Sequence, residues 1–270
     1  MRLDSVKELK GEAFRRLTGV QRSTFEAMAG LLLAAKRARK AVGGKPNTLC
    51  IEDQLLMMLE CWREYRTYFP IGQARGISES AACRNIKWRE NTLTKSKAFR
   101  LPGRKAVAAS GRAFGIVLID ATGTPIDRPK KQRRSYSGKK KRHPQLVVEK
   151  STRRILCLSR DKGRRHDFRP LKTSNVHLDP ETKAVADSGH QGPQRRHAKT
   201  SMPKKRSKKN PSSATGKAGN REISSQRVPC GNVIATLKRF KIIADRYRRR
   251  RFGPRFFLIA AIYNKEFRAA

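Results

Sequence analysis

The stretch Gly115-Ile-Val-Leu-Ile-Asp120 decides how this chain is read. Four apolar residues in a row, rich in β-branched side chains and closed by an acid, predict a central strand buried on both faces. A second stretch, Lys183-Ala-Val-Ala-Asp187, repeats the pattern and runs at once into Ser188-Gly189. Asp120 and Asp187 lie 67 residues apart. If the two strands are neighbours in one sheet, their terminal carboxylates meet. Like charges that close raise each other's pKa, and a cation resolves the conflict. Magnesium or manganese suits such a place, because both take oxygen ligands and work on phosphodiesters with paired carboxylates. Asp120 and Asp187 are therefore the candidate catalytic and metal-holding residues.

Outward from these two stretches, residues 146–149 and 155–159 predict a strand pair turning at Ser151-Thr152-Arg153. The segment 130–142 carries eight Lys or Arg and predicts a phosphate-contacting loop, with Arg133, Arg134, Lys139, Lys140, Lys141 and Arg142 as its cations. Residues 199–220, rich in Lys, Ser, Pro and Gly, predict an exposed, mobile insert. Residues 232–243 predict a helix, and the apolar residues of the tail are expected to pack back on the same domain.

Towards the N-terminus the period changes from strand to helix. Residues 1–40 read as helical, 42–48 as a break, and 51–65 as a helix with Ile51, Leu55, Leu59 and Trp62 on one face. A short helix from Pro70 to about Gly76 follows, then Ser78 as the cap of a helix over 79–93. A short helix, a glycine turn and a capped second helix form the helix-turn-helix pattern, with Ile71, Ala74, Ile77, Ala82 and Ile86 as its core. Arg84, Lys87 and Arg89 are expected on its exposed, DNA-contacting face.

Charge points the same way. Lys and Arg number 64 against 21 Asp and Glu, a formal net charge of +43 over 270 residues. Residues 111–270 carry net +31 and residues 1–110 net +12. Such a balance calls for a polyanion, and nucleic acid fits best, because neutralised phosphates release counterions. An apolar share of 37% speaks against a disordered basic chain. The five Cys (50, 61, 83, 157, 230) show no CxxC pair and no zinc spacing, which fits a reducing cytoplasm. No apolar run reaches 18 residues, so no membrane partner is expected.

Four motifs together carry a resemblance: Ile119-Asp120-Ala-Thr-Gly-Thr-Pro-Ile126, the run Arg133 to His143, Gly163-Arg-Arg-His-Asp-Phe168, and Ala186-Asp-Ser-Gly-His-Gln-Gly192. In order and spacing the chain resembles the DDE transposases of the "insertion sequence five" group, over about residues 45–265. The resemblance implies a ribonuclease-H-like mixed sheet behind the helical domain, an α+β or α/β chain in all. The expected partition is a helical domain over 1–100, with the helix-turn-helix at about 51–95, and a catalytic domain over 111–265. It also implies Mg- or Mn-dependent cleavage and transfer of double-stranded DNA at terminal inverted repeats and target DNA, carried out by paired protomers such as a homodimer.

The family's third acid lies on a helix, four residues after an Arg and seven before a Lys. Arg227 and Lys238 match those flanks and would turn one helix face to DNA, but position 231 between them is Gly. Pro229 and Gly231 are expected to break the helix there. Glu222, nine residues earlier, falls half a turn off the face and is no substitute. His143-Pro-Gln-Leu-Val-Val-Glu149 is shorter than the family's strand, His190 stands where Tyr is usual, and the His166–Asp167 pair reads as a loop cap. Two readings remain open: a transposase crippled by its missing acid, and a catalytically dead DNA-binding remnant or regulator.

Overall fold

The computed structural model describes residues 1–40, 47–108, 114–125, 141–161, 177–187, 197–204, 213–247 and 252–268. These fall into two compact units, Met1–Arg100 with Leu237–Ala270, and Leu101–Thr236.

The first unit is helical. It comprises α1 (Leu3–Val6), α2 (Gly11–Thr18), α3 (Arg22–Lys40), α4 (Ile51–Arg63), α5 (Tyr68–Gln73) and α6 (Glu79–Lys95). Helix α4 forms its centre: Leu55, Leu56, Met57, Met58, Leu59 and Trp62 are all fully buried. Full burial of such side chains is worth about 1.5–3 kcal/mol each, far more than the helix propensities of the sequence. The helix-turn-helix closes as expected. Gly76 takes the left-handed conformation (φ +66°) that ends α5, and Ser78 Oγ accepts a hydrogen bond from Ala81 N–H at 3.2 Å to start α6. Gly72 is needed for closeness, since a Cβ there would lie 2.6 Å from the Ile77 carbonyl. Of the expected core, Ala74 is exposed, and Arg75 takes the buried place beside it.

The second unit is built on α7 (Gly103–Ala108) and the strands β1 (Ile116–Ala121), β2 (Thr124–Pro125), β3 (Lys141–Glu149), β4 (Ile155–Asp161), β5 (Lys183–Ala186) and β6 (Thr200–Ser201). They form one mixed sheet. Antiparallel β3 and β4 lie to one side of β1, parallel β5 and β6 lie to the other, and β2 also pairs with β3. This is the ribonuclease-H-like order, with β1 at the junction of its antiparallel and parallel halves. One face carries Val117, Ile119, Val147, Leu156, Ala184 and Ala186, packed with Val107 of α7. Leu118 and Val185, which alternate with these along β1 and β5, are buried on the other face.

Two expectations are corrected here. The insert over 199–220 is not featureless: Thr200–Ser201 is an edge strand, Asn220 exchanges two hydrogen bonds with the Lys204 backbone, and residues from 214 onward are helical. Residues 205–212 lie outside the described residues. The helix expected at 232–243 is longer and starts earlier: α8 runs Ala214–Lys238, followed by α9 (Lys241–Ala244) and α10 (Phe252–Arg268). It passes through Pro229 and Gly231 without a break. Proline costs a helix interior about 3 kcal/mol and glycine about 1, but Cys230, Val233 and Leu237 bury one stripe of α8 and outweigh that loss. By contact, residues from Leu237 onward group with the N-terminal helices.

Candidate active site and DNA-contacting surfaces

Parallel β1 and β5 pair in the register Ile116↔Lys183 through Ile119↔Ala186. Each pair is offset by 67 positions, the separation of Asp120 from Asp187. Carried one residue further, the register sets the two aspartates side by side, at the carboxyl ends of neighbouring strands. In open sheets that is where ligands bind. Asp120 still lies within β1, and Asp187 is the first residue beyond β5. Their side chains are partly open to solvent, 20% for Asp120 and 43% for Asp187.

Helix α8 brings a third group to the pair. Arg227 Nη1 donates to Asp187 Oδ1 at 3.0 Å, and its Nη2 stands 3.3 Å from Asp120 Oδ1. One guanidinium therefore bridges both aspartates. Its place one turn before position 231 was legible in the sequence, but its aim at the aspartates was not. Asp120 Oδ1 also accepts from Ala121 N–H at 2.8 Å, which fixes the carboxylate at the strand end. Cys230 is buried next along the helix. Burial, helped by the charge of Asp120 and opposed by Arg227, pushes its thiol up to about 12, so it stays neutral.

Gly231 lies exposed on the continuous helix, and a Cβ built there meets nothing within 4 Å. Glu222 is exposed and accepts a hydrogen bond from Gln226 at 3.3 Å. Among the described residues no group of three His, Cys, Asp or Glu converges on a metal position. The two aspartates do fit a cation, since a guanidinium already sits between them. They supply two hard oxygen donors.

The expected DNA-contacting residues divide. Arg84 and Lys87 lie exposed on α6, on a stripe with Ser80 and Asn91. Arg89 does not: it is 2% exposed. It falls on the inward stripe Ala82, Ile86, Arg89, Leu93, whose helical spacing was readable in the sequence. Its guanidinium donates to the Asn85 carbonyl and Oδ1, and burial lowers its pKa to about 10. Lys238 is exposed at the end of α8. Lys141 and Arg142 lie on β3, with side chains outside the described residues. Arg133, Arg134, Lys139 and Lys140, together with His166, Asp167 and His190, fall wholly outside them.

Among the described residues no helix is long and apolar enough to cross a membrane. Comparison with known proteins agrees with the geometry. Residues 112–265 match the family "Transposase DDE domain", and residues 47–97 match "Helix-turn-helix of DDE superfamily endonuclease". The chain is 42% identical over 272 residues to a probable transposase for insertion sequence element IS702 from Microchaete diplosiphon, covering 98% of each protein. No solved structure matches it. DDE domains of this kind generally use divalent metal ions, and the helix-turn-helix marks a DNA-binding protein. With two strand-end aspartates in register and a helix-turn-helix before them, the chain belongs to the DDE transposases.

Proposed function

We propose that this chain recognises the terminal inverted repeats of an insertion sequence and descends from an enzyme that cuts and joins DNA there, with its own chemistry weakened by the loss of the acid at position 231. The observation that carries the reading is the shared register of Asp120 and Asp187 on adjacent parallel strands. These two residues would hold Mg²⁺ or Mn²⁺, which when bound polarises phosphate oxygens in strand cleavage and transfer. Arg84 and Lys87 on α6 would meet the duplex, and the cations of residues 130–142 would add phosphate contacts. Lys238, and Arg227 once released from the aspartates, would extend that contact along α8. Joining two element ends to a target calls for two protomers acting together.

The rival reading is a DNA-binding remnant that occupies element ends without cutting them. Gly231 and the Arg227 bridge are the observations in its favour. One experiment separates the two. Purified full-length protein, mixed with its own inverted-repeat ends, should bind in a strongly salt-dependent manner and cleave feebly with Mg²⁺ or Mn²⁺. Gly231→Glu should raise cleavage, and Asp120→Ala should abolish it. Efficient cleavage by the unmodified chain would refute the loss at position 231. No cleavage by any variant, with binding intact, would establish the remnant.

A further inference from the structure

We infer that Arg227 is a built-in counter-ion that competes with divalent metal for the Asp120–Asp187 pair, and that releasing it is the step by which the site becomes able to accept metal. The inference rests on the reading of these aspartates as the metal-holding pair.

The geometry is that of a cation between two anions. Separate terminal nitrogens of one guanidinium reach Oδ1 of each aspartate, at 3.0 Å and 3.3 Å. Forked two-point recognition of carboxylates is what arginine does best. Arg227 has little else to hold it: its Nε is buried without a hydrogen-bond partner among the described residues. Displacing the guanidinium therefore sacrifices mainly its contacts with the carboxylates.

Charge decides the competition. Two carboxylates and one guanidinium leave a single negative charge. A divalent ion added beside the guanidinium would set three positive charges against two negative ones, at separations where repulsion is strong. The bridge and the metal therefore exclude one another. An acid at 231 would change this in two ways. It would add a third negative charge, and it would stand four residues after Arg227, where a helix pairs opposite charges. The acid would thus draw the guanidinium off the aspartates while completing the donor set. With Gly231 neither happens, and the bridge is the resting arrangement. A released guanidinium is free for a phosphate, so metal loading and DNA contact are coupled through one side chain.

The test measures Mn²⁺ affinity of the full-length protein by the electron paramagnetic resonance signal of unbound Mn²⁺, without DNA. The site is defined as the binding that D120N removes. R227Q should tighten it by between about fivefold and about a hundredfold, the usual range for a coupled pair of sites. R227K, which keeps the charge but cannot fork, should tighten it less. G231E should also tighten it, and G231E with R227Q should gain less than the two separate factors multiplied. Should R227Q fold poorly by circular dichroism, R227K and G231E carry the measurement. Unchanged or weaker Mn²⁺ affinity in the folded Arg227 variants, with D120N still removing the site, overturns the competition and leaves the metal-site reading standing. Mn²⁺ binding that D120N does not alter overturns both.

Discussion

The two units treat acidic side chains in opposite ways. In the helical unit each buried carboxylate faces more than one donor. Glu60 faces Arg75 at 2.8 Å, Arg66 at 2.8 Å and the N-terminal amine at 3.0 Å. Glu266 faces Arg239 at 2.9 Å and Arg15 at 3.3 Å, and accepts from Gln21 N–H. Glu90 accepts from Arg255 at 2.6 Å and from the Trp62 indole at 3.0 Å. In the sheet unit one arginine is shared between two aspartates. A carboxylate oversupplied with partners is fixed and serves architecture. Two partly exposed carboxylates that share one cation at a strand end are suited, on the proposed function, to exchange it for another.

The comparison breaks first, if it breaks, at Glu90. Arg255 is buried, and although burial opposes its charge, Glu90 outweighs burial and holds its pKa above the ordinary value. Glu90→Gln leaves that cation buried without its anion. It should destabilise the protein by about 3–5 kcal/mol in urea unfolding, whereas pairing it with Arg255→Met should recover much of the loss. A small effect of the single change would mean that the network is ornamental.

Acid should act next, through Glu60. Burial alone would raise its pKa, but hydrogen bonds and charge from Arg75 and the N-terminal amine prevail and hold it below the ordinary range. A lowered folded-state pKa adds stability that is complete above the unfolded value of about 4.3. That contribution drains as pH falls through the folded value. Melting temperatures followed downward from pH 5 should fall more steeply in the wild type than in Glu60→Gln.

At the sheet the expected effect is smaller. Asp120→Asn or Asp187→Asn should change stability by less than about 1 kcal/mol, as for other partly exposed ion pairs. A loss as large as that of Glu90→Gln would place the aspartates with the architectural acids. Arg89→Met should change least: it removes a buried charge whose hydrogen bonds among the described residues go to Asn85. We expect an equal or higher melting temperature with DNA affinity unchanged, while Arg84→Ala and Lys87→Ala each lower the salt dependence of binding.

The sequence already showed what depends on local pattern. The acid-ended strands, the glycine turn, the Ser78 cap and the spacing of the aspartates were all readable, because short periodic runs and capping chemistry are local. Contacts made across the fold were not. Arg227 meets Asp187 over 40 residues and Arg255 meets Glu90 over 165, and neither run announces its partner. In two places position outweighs residue type. Arg89 is charged yet buried, because its spacing follows Ala82 and Ile86. Pro229 and Gly231 are helix breakers by type, yet Cys230, Val233 and Leu237 mark a buried stripe that holds the helix together.

The open ground around Gly231 has a meaning for inheritance as well. Helix α8 runs through the position unbroken, and a Cβ added there meets nothing within 4 Å. In the genetic code every glycine codon becomes an acidic one by a single second-position transition, to aspartate or glutamate according to the third base. A copy of this gene stands one base from an acid on an intact helix, so that, on the proposed function, a single transition would return a carboxylate to the helix that carries Arg227.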